Sequence, residues 1–112
     1  MSDGPRRRQP GCLYAVTAQD ASSHTVRRRV LVHGRVQAVG FRASCLRRAT
    51  DAGLGGWVRN TEAGDVEAVF EGPSQAVDAL VQWCRTGPSW ARVERVETSD
   101  DPPRGETTFT IR

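Results

Sequence analysis

The sequence predicts an α+β domain of two layers, a single antiparallel or mixed sheet with both helices on one face. Three observations lead there. Short runs rich in β-branched residues alternate at strand spacing, two longer stretches repeat their apolar residues every three to four positions, and the runs follow one another as β-α-β-β-α-β with a short extra strand at the C-terminus.

The first strand is RRRVLVHG, from Arg27 to Gly34. Phe41, Cys45, Ala49 and Ala52, with Leu46 beside them, form the apolar stripe of a first helix that ends at Gly53. GGWVRN is a short strand, TEAGD a turn in which Gly64 can take a positive φ, and VEAVFE a strand placing Val66, Ala68 and Phe70 on one face. Together these read as a β-hairpin. The second helix is GPSQAVDALVQWCRTGP: Pro73 suits its first turn, Ala76, Val77, Leu80, Val81 and Cys84 are its buried stripe, and Gly87 with Pro88 stops it. ARVERVE is the next strand, where Val93 and Val96 break strict alternation and flank a bulge, and TTFTIR is the last. Two helices and one sheet bury their apolar faces by packing both helices on the same side, with right-handed crossovers, which is the ferredoxin-like two-layer sandwich. Residues 1–26 are rich in Pro, Gly, Arg and small polar residues and read as a disordered leader, with CLYAV as a spare strand the alternative; residues 27–112 are the folded domain.

Composition narrows the function classes. A chain of 112 residues with 38% hydrophobic and 26% charged residues holds one modest core. No apolar run approaches the roughly 18 residues that span a bilayer, and no secretory signal is evident, so the expected compartment is the cytoplasm, with no membrane partner. Cys12, Cys45 and Cys84 are widely spaced, without C-x-x-C. No metal site or disulfide framework is expected, and Cys45 and Cys84 read as small packing residues. The net charge of +3 is unevenly placed: residues 1–29 carry six arginines and two aspartates, whereas residues 30–112 carry ten arginines against eleven acids. A nearly neutral folded part lacks the basic face that nucleic acid requires.

The chemically suggestive stretch is GRVQAVGFR, Gly34 to Arg42, between the first strand and the first helix. The first amides of a helix have no intrahelical acceptor and sit at the positive end of its dipole, so they suit an anion. Gly34 and Gly40 let the backbone bend so that N–H groups converge, and Arg42 adds a planar fork that takes two phosphate oxygens and stays charged at any useful pH. On spacing alone, phosphate binding and an ordinary glycine-containing connection both remain open. The stretch is neither a Walker loop nor a dinucleotide fingerprint, since G-K-[ST] and G-x-G-x-x-G are absent.

GRVQAVGFR resembles the acylphosphatase pattern G-x-V-Q-G-V-x-F-R. GLGGWVRNTEAGDVEAVFEGP resembles that family's G-W-V-R-N…G-x-V-E…G-P block, and FTIR its last strand. The likeness covers residues 27–112, with both motifs in the right order and at the right separation. It implies a ferredoxin-like fold and metal-independent, cofactor-free hydrolysis of small acyl phosphates; a monomer is the expected state, although nothing in the sequence fixes it. By the same resemblance Arg42 and Asn60 are the catalytic residues. The loop backbone of Arg35, Val36, Gln37, Ala38, Val39, Gly40 and Phe41 would hold the phosphoryl oxygens, and Asn60 would orient the attacking water. The family has glycine where this chain has Ala38. If that position takes a positive φ, alanine stores about 1–2 kcal/mol of strain.

Two other functions fit the same fold. An RNA-binding module would need aromatic residues on the central strands, where only Phe70 is available, and on a face that alternation assigns to the core. A non-catalytic phosphate-binding module would keep the loop without turnover. Of the remaining residues, His33 reads as an exposed strand-end histidine. Trp57, Trp83 and Trp90 read as packing residues, and Arg47 and Arg48 as a solvated helix face. Arg59 should point away from Asn60 across the strand.

Overall fold

A computed structural model describes residues 24–112. The expected leader, including CLYAV and Cys12, lies outside the described residues up to residue 23. The elements are β1 (Thr25–Arg35), α1 (Phe41–Asp51), β2 (Gly55–Asn60), β3 (Val66–Pro73), α2 (Ser74–Cys84), β4 (Arg92–Asp101) and β5 (Phe109–Ile111). They form one five-stranded sheet of order β4-β1-β3-β2-β5. β3 is antiparallel to β1 and to β2, β4 is antiparallel to β1, and β5 runs parallel to β2. This is the ferredoxin-like arrangement that the element order predicts. Among the described residues no helix is long and apolar enough to cross a membrane.

Strand periodicity sorts the side chains into two faces. Val30 and Val32 of β1, Val58 of β2, and Val66, Ala68 and Phe70 of β3 pack against Phe41, Cys45 and Ala49 of α1 and against Val77, Leu80, Val81 and Cys84 of α2. Phe70 stacks on Phe109 of β5, and Phe41 meets Trp83 with ring centroids 5.1 Å apart. Cys45 and Cys84 are free, buried thiols, as their expected packing role requires. The Cys84 side chain, together with burial, pushes the Cys45 thiol well up, away from the reactive thiolate.

Four expectations need correction. β1 begins at Thr25, ahead of the expected Arg27, because Val26 still packs on the core. Ala52 is not part of the α1 stripe; it is the exposed C-cap, its amide bonded to the Arg48 carbonyl while the next amide, of Gly53, bonds the Thr50 carbonyl. Trp90 is 80% exposed rather than packed. β4 runs on through the polar TSDD to Asp101 rather than ending near Glu97. Its partner strand explains the extension: Arg28 and Arg29 of β1 bond Asp100 and Asp101. The predicted bulge is present. His33 faces Arg95 and Gly34 faces Val93, so Glu94 is the extra residue.

Arg27, counted in the sequence with the basic leader, is buried, as is Glu71 directly opposite it on β3. Arg27 Nη1 donates to Glu71 Oε1 at 2.8 Å and to Glu106 Oε1 at 2.5 Å, while the Arg104 and Gly105 amides donate to Glu71 at 2.6–3.1 Å. Burial alone would raise the Glu71 pKa. The Arg104 amide, Arg27 and the Gly105 amide outweigh it and hold the carboxyl below the ordinary carboxylate value. The cluster pins the β4–β5 connection to the sheet and so sets where β5 lies. Glu71→Ala is expected to cost roughly 3 kcal/mol, because a buried guanidinium loses its main partner. Since the folded pKa lies below the unfolded one, Glu71 contributes stability above the unfolded value of about 4.3 and loses it as pH falls through the folded value. Urea midpoints measured from neutral to acid pH should therefore fall less steeply for Glu71→Ala than for the natural chain.

Candidate active site

The loop from Val36 to Gly40 joins β1 to α1, and two glycines, Gly34 near the end of β1 and Gly40 at the end of the loop, explain its path. At Gly34 φ is 132°, and a Cβ there would lie 2.1 Å from the Arg92 carbonyl oxygen across the bulge, so only glycine allows β1 and β4 to approach. At Gly40 φ is 79°, the left-handed turn that starts α1. The first helical bond runs from the Ser44 amide to the Gly40 carbonyl at 3.0 Å, which leaves the Phe41, Arg42 and Ala43 amides ahead of the ladder. No acidic side chain occupies the first turn of α1, so nothing there offsets the positive end of the dipole.

Ala38 is the one non-glycine residue with a positive φ, 61°, among the described residues. The condition set by the sequence is met: this position does require a left-handed backbone. The Ala38→Gly variant should gain about 0.5–1 kcal/mol, the relieved strain exceeding the extra unfolded-state entropy of glycine. A urea titration reads the difference, and a loss of stability would show that the Ala38 methyl packs usefully.

A cavity of about 210 Å³ opens where this loop meets β2 and β5. Val36, Ala38, Gly40 and Phe41 of the loop and helix start line it, together with Arg42, Ala43, Asn60 and Ile111. The two residues singled out as catalytic, Arg42 and Asn60, thus share one cavity, although they come from different elements. Arg35, Gln37 and Val39 lie outside its lining. Arg35 ends β1 opposite Arg92. The Gln37 amide nitrogen is engaged by the Thr61 and Asp65 carbonyls at 2.8 and 2.9 Å.

Arg42 is exposed and forms no ion pair among the described residues. Asn60 shares the helix-facing side of β2 with Val58. Its neighbour Arg59 turns to the other face and bonds Glu67 at 2.7 Å, as expected. Asn60 Oδ1 is buried and meets no donor among the described residues. A buried amide oxygen left unpaired costs about 1–3 kcal/mol, the kind of cost found at functional positions. Among the described residues no hydrogen bond fixes the carboxamide, so a half-turn of it sacrifices none there.

His33 differs from its expected exposure. Its side chain is only 18% exposed, with Nδ1 3.0 Å from Asp65 and Nε2 2.6 Å from Glu97. Sequence distance hides both partners: Asp65 lies in the β2–β3 turn and Glu97 on β4. The Gln37 contacts were equally invisible, because their acceptors are main-chain carbonyls, which every residue carries.

Fold and cavity together define a class: ferredoxin-like α+β domains with a glycine-bent loop and an arginine at the first strand–helix turn, facing an asparagine from the end of the second strand across one cavity. The acylphosphatase family model matches residues 28–111. A Synechococcus acylphosphatase (strain JA-2-3B'a(2-13)) is 50% identical over 90 residues, covering 80% of this chain and 96% of its own length. One from Rubrobacter xylanophilus is 54% identical over 86 residues, covering 77% of this chain and 78% of its own. The solved acylphosphatase structure from Coxiella burnetii superposes with a TM-score of 0.75 at 34% identity, covering 79% of this chain and 93% of that one. The chain belongs to the acylphosphatase family and is an enzyme of that class.

Proposed function

We propose that the protein hydrolyses the carboxyl-phosphate bond of small acyl phosphates without a metal. In this reading the loop amides and Arg42 hold the phosphoryl group, and Asn60 aims the water. The coarse activity follows from family membership. The observation that carries the finer reading is the shared cavity of Arg42, Asn60 and the loop.

The chemistry asks little of the protein. The leaving group is a carboxylate whose conjugate acid has a pKa of about 4, so it departs without a general acid. The transition state is loose, with charge on three equatorial oxygens. The loop and helix-start amides, with the Arg42 fork, supply donors for those oxygens. Asn60 accepts a hydrogen bond from water through Oδ1, which points the water's lone pair at phosphorus, while its NH₂ can contact a phosphoryl oxygen. The water oxygen bonds phosphorus as the acyl C–O–P bridge breaks at the P–O bond. The carboxylate leaves with the electron pair, and the water proton passes to a phosphoryl oxygen, giving inorganic phosphate.

The test is phosphate release from a generic acyl phosphate in the presence of a chelator. Undiminished turnover is expected; loss of turnover that divalent cations restore would overturn the metal-independent reading. Binding of inorganic phosphate without any hydrolysis would favour the non-catalytic module instead.

A further inference from the structure

We infer that Gln37 is a positioning residue: its side chain ties the phosphate loop to the turn that carries Asn60, and so fixes the water-aiming amide relative to the bound phosphoryl group. The inference rests on the proposed role of Asn60 and adds the element that holds it in place.

The turn after Asn60 is closed by its own bonds. The Thr61 amide donates to the Asp65 carbonyl at 2.9 Å, the Gly64 amide to the Thr61 carbonyl at 3.2 Å, and the Asp65 amide to Thr61 Oγ1 at 3.1 Å. That makes residues 61–65 a compact unit joined directly to Asn60. Gln37 Nε2 donates to the two carbonyls of this unit, Thr61 at 2.8 Å and Asp65 at 2.9 Å. A primary amide nitrogen has two hydrogens, and both are used here. The residue is half-buried, and its own backbone belongs to the loop. One side chain of the anion loop therefore bridges to the turn that follows the asparagine, beside the His33–Asp65 contact that ties the end of β1 to the same turn.

The requirement is chemically narrow. Two carbonyl oxygens need two donors on one atom at that reach. Glutamate has the same shape and presents an acceptor to both oxygens; methionine has the same length and offers neither donor nor charge. Either change leaves the loop amides, Arg42 and Asn60 in the chain, so the consequence falls on their relative placement. A misplacement on the order of 1 Å costs about a hundredfold in rate.

The experiment is a double-mutant cycle on the full chain with a generic acyl phosphate as substrate and inorganic phosphate as competitive inhibitor. Gln37→Met should lower kcat about tenfold or more while the phosphate inhibition constant moves less than about twofold. In an Asn60→Ala background the same substitution should change kcat less than about twofold, because its effect passes through Asn60. Gln37→Glu should behave likewise with a larger loss, and it serves if the methionine variant does not fold, as judged by circular dichroism. Additive losses in the double variant, or a phosphate constant weakened in step with kcat, would overturn the inference. So would Gln37→Met at near-normal rate while Asn60→Ala is impaired, an outcome that leaves the proposed mechanism standing. Asn60→Ala at near-normal rate would remove both.

Discussion

Arg42→Ala is expected to abolish phosphate binding and hydrolysis together, lowering kcat/KM by about 10³–10⁵, the range over which a single transition-state arginine acts in phosphoryl transfer. The reason is placement. Arg42 is the second residue of α1, lines the cavity, and engages no acid among the described residues, so its charge is not already compensated. In the proposed mechanism its guanidinium meets the phosphoryl oxygens both in the bound substrate and in the transition state, so binding and turnover should fall as one. Arg42→Lys should recover part of the binding and little of the rate, because an ammonium supplies charge without the planar fork. Initial rates, with inhibition by inorganic phosphate measured in parallel, decide it. A variant that still binds phosphate normally would move the anion site away from this helix start.

Asn60→Ala is expected to separate the two functions. The loop and Arg42 remain, so the inhibition constant for phosphate should hold within about twofold, while kcat falls about 10²–10³, as when one preorganised donor or acceptor is removed. The stability change should be small or favourable, because the substitution removes a buried oxygen that no donor satisfies among the described residues. A stable variant with poor turnover and intact phosphate binding is therefore the expected combination. A near-normal rate would show that solvent needs no guide in this cavity.

The site was legible in the sequence to the extent that its chemistry is carried by local pattern. GRVQAVGFR contains its own bend at Gly40, its own helix start and its own arginine, so a loop with donors and a cation follows from consecutive residues. Asn60 was reachable only by resemblance, because an asparagine beside a hairpin is ordinarily a turn residue. The strain at Ala38 was foreseen as a condition and is present as a φ of 61°.

The sequence by itself determined the order of elements, the core stripes and the loop, because periodicity and backbone freedom are properties of neighbours along the chain. Only the tertiary structure decided which charges meet. Arg27, Arg28 and Arg29 look like the end of a basic leader, yet the fold sets Glu71 and Glu106 against the first, Asp78 and Asp100 against the second, and Glu67 and Asp101 against the third. The same holds for His33 between Asp65 and Glu97, and for Gln37 against two carbonyls of a distant turn. A polar side chain's partner depends on strand order and register, which arise from how the whole sheet closes over its helices rather than from any stretch of sequence read alone.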